Sequence, residues 1–282
     1  MRIDSHHHFW NYDAQEYGWI SDEMSVLQRD FGPPELQRVI KPAGINGVVS
    51  VQARQTVEET RWLLEIAEQT PAVWGVVGWA PLAGDEEALS KLLEELAKNP
   101  LLKGMRHVVQ DEPDDRFLLR NDFSHGVATL RNYDLVYDIL IFARQLPPAV
   151  AIVDRHPDQR FVLDHIAKPT IEPRNFDTDW AENIRQLAKR RNVACKFSGV
   201  VTEVRGSNWS LDDIRPYWDV VVEAFGIDRL MFGSDWPVCL LRSRYDQWIS
   251  TVEALIEPFS SSEQEQFWSG TAKQWYKLTP RQ

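Results

Sequence analysis

The chain has 282 residues, of which 43% are apolar, enough for a large buried core and close to the length at which α/β barrels form one domain. With 42 acidic against 31 basic side chains the net charge is −11, which argues against a nonspecific nucleic-acid binder and against attraction to an anionic membrane surface. Cys195 and Cys239 form no CxxC or zinc-finger spacing and read as buried free thiols; with no leader, lipidation signal or transmembrane run visible, a cytoplasmic location is expected.

Eight β-rich runs follow in order. They lie at residues 2–9 (RIDSHHHF), 45–53, 73–81, 102–110, 134–141, 160–169 (RFVLDHIAKP), 192–200 and 228–236 (DRLMFGSDW), each rich in Val, Ile, Leu or Phe and bounded by turn residues. Amphipathic stretches alternate with them. Thr56 with Glu59 three residues later reads as a capping box, Leu89, Leu92, Leu93 and Leu96 make one stripe, and further helical patterns cover 176–192, 211–226 and 244–259, with Gly226 as a stop signal. Eight strands alternating with helices predict a single (β/α)8 barrel domain over residues 1–282. An open doubly wound sheet is the alternative, and it would want a Gly-rich phosphate loop that no strand is followed by. Two long connections, 11–38 and 200–215, are expected at the carboxyl-terminal face, where barrel loops form the substrate pocket.

Three consecutive histidines open the chain in DSHHHFW. They run from Ile3 and Asp4 straight into Phe9 and Trp10, which is strand sequence and unlike a purification tag. Side-chain alternation puts His6 and His8 on one face with Asp4, and His7 on the other, packed between barrel and helix. His165 and Asp235 end the sixth and eighth runs, where barrel enzymes hold reacting groups. Each has a plainer reading: Asp235 as a turn cap, His165 as a satisfied core histidine. His125 and His156 fall in helix or loop sequence and are expected to be structural or exposed. Lys196, alternating with Cys195 and Phe197, points inward, either to anchor a buried carboxylate or to touch substrate.

DSHHHFW, KGMRHVVQDEPDD, FVLDHIAKP, CKFSGVVTE and RLMFGSDWPV together resemble the amidohydrolase superfamily, above all its branch of sugar lactonases of the L-fuconolactonase and L-rhamnonolactonase type. The resemblance runs from the first strand to the last helix. It implies a site in which a first-strand HxH, a fifth-strand His or Lys, a sixth-strand His and an eighth-strand Asp surround one or two divalent metals. His6, His8, His165 and Asp235 match. The fifth run, DLVYDILI, departs from the pattern, carrying Tyr137 and Asp138 instead. His6, His8 and Asp235 could still hold a single zinc, but the resemblance to this branch implies that no metal is required.

The implied reaction is opening of a sugar lactone to the aldonic acid. Asp235 is the expected general base toward water, and His6, His8 and His165 the groups around the carbonyl oxygen. Arg106, His107, Lys168 and Glu203 stand where they could bind hydroxyls, and Trp79 and Trp236 where they could cover an apolar sugar face. Only Arg106 is an obvious strand-end arginine, which favours a neutral lactone over a dicarboxylate. The alternatives are a zinc-dependent hydrolase or decarboxylase of an aromatic acid, and a noncatalytic sugar-binding barrel that would have no need of Asp235 as a base.

Overall fold

The computed structural model describes residues 1–206 and 208–281. Eight parallel strands succeed one another around one sheet in chain order: β1 Ile3–His7, β2 Gly47–Val51, β3 Val73–Gly78, β4 Leu102–Val108, β5 Val136–Leu140, β6 Phe161–Leu163, β7 Val193–Phe197 and β8 Leu230–Phe232. The sheet closes just past the last strand, where the Asp235 amide donates to His6 O at 2.8 Å and the His8 amide donates to Trp236 O at 2.7 Å. The expected (β/α)8 barrel is therefore what forms. A doubly wound sheet would carry its strands out of sequence order.

Helices alternate with the strands: α1 Pro33–Ile40, α2 Val57–Gln69, α3 Glu86–Leu96, α4 Asn121–Leu130, α5 Leu146–Arg155, α6 Thr178–Ala188, α7 Leu211–Phe225, α8 Tyr245–Ile256, α9 Ser261–Glu265 and α10 Thr271–Tyr276. Thr56 caps α2 as expected, its hydroxyl accepting from the Glu59 amide at 3.1 Å. Leu89, Leu93 and Leu96 form the buried stripe of α3, and Gly226, at φ +73° and ψ 154°, ends α7 in a positive-φ conformation open to glycine. The sequence pattern missed α1, α4, α5, α9 and α10. Two of these open on prolines, at Pro33 and Pro34 and at Pro147 and Pro148, which read as breakers but fit a first helical turn, where the lost N–H has no partner to lose. Among the described residues no helix is long and apolar enough to cross a membrane. Cys195 and Cys239 are both free and buried.

Three departures from simple alternation matter for the site. The pairing of β1 with β2 shifts register between Asp4 and His7, so Asp4 does not share a face with His6. Its buried carboxylate instead accepts from Ser234 N at 2.8 Å, Ser234 Oγ at 2.6 Å and Tyr245 Oη at 3.0 Å. β6 ends at Leu163 because His165, Ile166, Ala167 and Lys168 all have positive φ, a left-handed turn made without glycine. β8 ends at Phe232, so His165 and Asp235 stand on the turns beyond the strands rather than within them.

The barrel interior is apolar below and ionic above. Ile3, Val49, Val77 and Met231 pack with Trp275 and Tyr276 of α10, which closes the amino-terminal end. Above them Lys196, fully buried, reaches Asp138 Oδ2 at 2.6 Å and lies 2.9 Å from Asp164 Oδ1, while Arg106 bonds Asp164 Oδ2 at 3.0 Å. Lys196 is thus the anchor of buried carboxylates, one of its two expected roles. Tyr276 Oη also lies within 2.8 Å of Asp138 Oδ1 and 2.7 Å of Oδ2.

Removing one partner of a buried charge cluster strands the other in a low dielectric, a loss of about 3–5 kcal/mol. Lys196→Met should therefore lower the urea midpoint by that loss divided by the slope, with the slope itself unchanged. A shift under about 1 kcal/mol would mean that water or relaxation relieves the two aspartates.

Candidate active site

At the carboxyl-terminal mouth of the barrel lies a cavity of about 920 Å³ whose wall includes His8, Arg106, His165, Lys168, Glu203 and Asp235. Six residues expected at the site therefore meet on one surface, although they come from five different strand ends. His6 sits directly beneath, fully buried. Its Nε2 is 3.2 Å from His8 Nε2, 3.3 Å from Arg106 Nη1 and 3.7 Å from Asp235 Oδ1. His8 Nε2 is 3.3 Å, and His165 Nε2 3.9 Å, from that same aspartate oxygen.

Backbone geometry holds these groups. The two seam hydrogen bonds fix Asp235, at φ +57°, against the chain of His6 and His8. Among the described residues no backbone amide donates to the Asp235 carboxylate, and it is the Asp235 carbonyl that accepts from Cys239 N; the side chain is not spent as a turn cap. His165 Nδ1 meets Ser198 Oγ at 2.9 Å. Gly199, at φ +62°, has to be glycine, because a Cβ there would lie 2.6 Å from His165 Nδ1 and 3.1 Å from Asp235 Oδ2.

Electrostatics follow from burial and neighbours. Burial drives His6 well below the usual histidine range and takes His165 down to about 4, so both are neutral at neutral pH. Burial works to raise Asp235, yet His165, His8 and Lys168 together outweigh it and hold the carboxyl below its usual value. In the same way burial of Asp164 is outweighed by Lys196, His6 and Arg106, and it stays ionised. Asp138 goes the other way: burial pushes it up to about 6 despite Lys196. Burial also raises Glu203, with Lys168 opposing.

Hydrogen bonding sets the imidazole roles. The carbonyl of Val51 can only accept, so His8 Nδ1, 2.8 Å away, carries a proton, and the ring is held with Nε2 toward the site. Three potential ligand atoms, His6 Nε2, His8 Nε2 and Asp235 Oδ1, lie within 4.8 Å of one another. At usual Zn–N and Zn–O lengths near 2.0–2.1 Å, two tetrahedral ligands sit about 3.4 Å apart, close to the 3.2, 3.3 and 3.7 Å found. The donor set therefore fits one divalent ion, with Val51 O orienting His8 behind it. A second grouping, His6 with Asp164 and His165, is a poor candidate because Lys196 and Arg106 already neutralise Asp164.

Three expected residues are not brought to the cavity, a correction to the reading of strand ends. His107 points away from Arg106 by strand alternation, stacking on Phe117 at 4.9 Å and bonding Glu112 at 2.7 Å. The Trp79 indole N–H donates to His107 at 3.3 Å, and Trp236 is buried edge-on to Phe31. His7 packs as expected, against Ser50 and Phe9; His125 is exposed and His156 bonds Ser124. Asp164 and Gln52 were missed. Asp164 sits one residue before His165 in a run that read as continuous strand, and only its charged neighbours disclose its role. Gln52 receives the Arg106 guanidinium on its carbonyl.

An eight-stranded barrel with paired histidines on the first strand, and a histidine and an aspartate beyond the sixth and eighth, defines a hydrolase of the amidohydrolase type. The chain belongs to that family: residues 3–278 match it. It is 42% identical to the L-fucono-1,5-lactonase of Burkholderia multivorans, over 99% of this chain and 96% of that protein. It is 33% identical to the L-fucono-1,5-lactonase of Burkholderia ambifaria, with the same coverage. A crystal structure of an amidohydrolase from Burkholderia multivorans with bound zinc matches with a TM-score of 0.92 and 41% identity, over 99% of this chain and 100% of that one.

With Asp235 held below its usual range and burial keeping His6 and His165 neutral, none of these three should titrate near neutrality. The acid limb that belongs to Asp235 should fall below the ordinary carboxylate range near 3.9. A limb in kcat/KM between pH 6 and 7 would show a histidine charging in the working range.

Proposed function

We propose that this protein hydrolyses a sugar lactone, a neutral 1,4- or 1,5-aldonolactone of a 6-deoxy sugar such as L-fucose or L-rhamnose, to the aldonic acid. The observation that carries the reading is Asp235: held below its usual range, at the cavity wall, and with no backbone amide among the described residues bonding its carboxylate. The full-length likeness to two L-fucono-1,5-lactonases supports the substrate class.

In this reaction water adds to the lactone carbonyl while Asp235 takes its proton. The carbonyl oxygen becomes an alkoxide. Arg106, 4% exposed and carrying fixed positive charge, and His165, whose Nε2 keeps the proton when Ser198 donates to Nδ1, are the groups suited to stabilise it. His8, oriented by Val51 O, presents its Nε2 to the site 3.3 Å from Asp235 Oδ1. The C–O bond to the ring oxygen then breaks, and Asp235 returns its proton to that oxygen, giving the hydroxy acid. Lys168 and Glu203, on the cavity wall, bind hydroxyls. A divalent ion on His6, His8 and Asp235 would add Lewis-acid polarisation of the carbonyl.

A metal is not required in this reading. The fifth-strand position holds Asp138, which is taken by Lys196 and Tyr276, and a lactone leaving group needs less electrophilic help than an amine. Chelation should leave most activity intact, with metal content followed in parallel. Loss of nearly all activity, restored by zinc, would overturn the metal-free version and leave the residue assignment standing.

A panel of sugar lactones assayed by acid release, corrected for spontaneous opening, tests the reaction itself. On the preferred lactone, Asp235→Asn should cut kcat by about 10²–10⁴-fold, the usual contribution of a positioned base, with little change in binding of a product analogue. Near-native kcat in that variant would sink the mechanism.

A further inference from the structure

We propose that Trp19, with Met24, Val238 and Leu241, forms an apolar wall that reads the C6 methyl of the substrate and makes the enzyme prefer 6-deoxy lactones over their 6-hydroxy counterparts. The inference rests on the lactonase reading and adds the residues that choose among lactones.

The cavity wall is uneven in chemistry. Loops beyond β2, β4, β6 and β7 supply polar groups such as Gln52, Arg54, Gln110, Lys168 and Glu203, and Leu140 and Phe142 stand at the end of β5; Trp19, Met24, Val238 and Leu241, with Glu16 at the edge, come from the loops after β1 and β8. These two loops pack on each other through the turns Asp22–Leu27 and Val238–Leu241. The apolar wall therefore adjoins the seam that carries Asp235.

Trp19 is 38% exposed, one of few large apolar side chains so open to solvent. It is also held in place. Its ring stands edge-on to Trp10 at 5.6 Å and 89°, and the Trp10 indole N–H is shared between Leu27 O at 3.2 Å and Arg29 O at 2.9 Å. A fixed aromatic face on a cavity wall gains from an apolar group that displaces its water. A sugar lactone presents hydroxyls in most directions, and a 6-deoxy lactone adds one apolar substituent, the methyl. With the hydroxyls on the polar loops and the carbonyl at Asp235, that methyl is the part suited to this wall. A hydroxymethyl there would lose water and find no hydrogen-bond partner among the four side chains.

The test uses two lactones of identical stereochemistry that differ only in methyl against hydroxymethyl at C6. A hydrophobic contact of one carbon is worth about 10–200-fold, and a site without a hydrogen-bonding partner rejects an added hydroxyl by up to about 100-fold. Wild type should favour the methyl lactone in kcat/KM by about tenfold or more. Trp19→Ala should bring the ratio toward one, chiefly by loss on the methyl lactone; Trp19→Phe should keep most of it; Leu241→Asn should raise the hydroxymethyl lactone relative to the methyl one. Melting curves accompany each variant. A wild-type ratio near one, or variants that lower both lactones equally, overturns the inference while the lactonase reading stands. Wild type that opens neither lactone removes that reading, and the inference with it.

Discussion

Two cations and two carboxylates with almost no access to water hold the upper barrel together: Lys196 and Arg106 against Asp138 and Asp164. Such a cluster is a costly way to fill a core, since desolvation consumes much of what Coulomb attraction returns. Its effect is positional. Asp164 is held between Lys196 and Arg106, and His6 lies 3.3 Å from Lys196 Nζ, from Asp164 Oδ1 and from Arg106 Nη1. The imidazole is thereby fixed from below, and its Nε2 faces His8 and Asp235. Through Tyr276 the same cluster joins the helix that closes the far end of the barrel. A purely apolar filling would pack as well but could not orient a ring.

The two turns that carry His165 and Asp235 are held by different means. Four consecutive non-glycine residues, from His165 to Lys168, adopt left-handed conformations, each disfavoured by roughly 1–2 kcal/mol. The turn persists because its surroundings over-determine it: Ile166 and Ala167 are buried, the Trp180 indole N–H donates to Ile166 O at 2.6 Å, and Ser198 meets His165. Strain of this kind collects at functional sites, and here it throws His165 and Lys168 onto one cavity wall. At the seam, Asp4 takes three hydrogen bonds from Ser234 and Tyr245. It ties β1 to the residues just before Asp235, so the first and last strands carry their reacting groups at a fixed separation.

The same economy explains the cavity. Loops after β2, β4, β6 and β7 bring polar groups, while those after β1 and β8 bring Trp19, Met24, Val238 and Leu241 beside Glu16. A pocket with one apolar side and one polar side fixes the orientation of a small polyol as well as its affinity. In the proposed function chemistry sits near the seam, where Asp235 is fixed, and recognition is spread over loops that can vary without disturbing it.

Much of this was legible along the chain. The strand–helix alternation gave eight strands in order, because periodicity is a local property, and His6, His8, His165 and Asp235 stood out because strand ends are where barrels place chemistry. The capping of α2 by Thr56 and the stop at Gly226 were legible for the same local reason. What the sequence could not decide was direction beyond one strand. His107 and Trp79 looked like pocket residues, but alternation along β4 turns His107 away from Arg106 and Trp79, just past β3, bonds to it, and Asp4 looked like a partner of His6 until a shift in β1 moved it to the seam. Lys196 could anchor or bind. Only closure of the barrel, which brings residues 138, 164 and 196 within reach of one another, made it an anchor. Local sequence determines which residues lie near the mouth; the register and twist of a closed sheet, set by all eight strands together, determine which of them face each other.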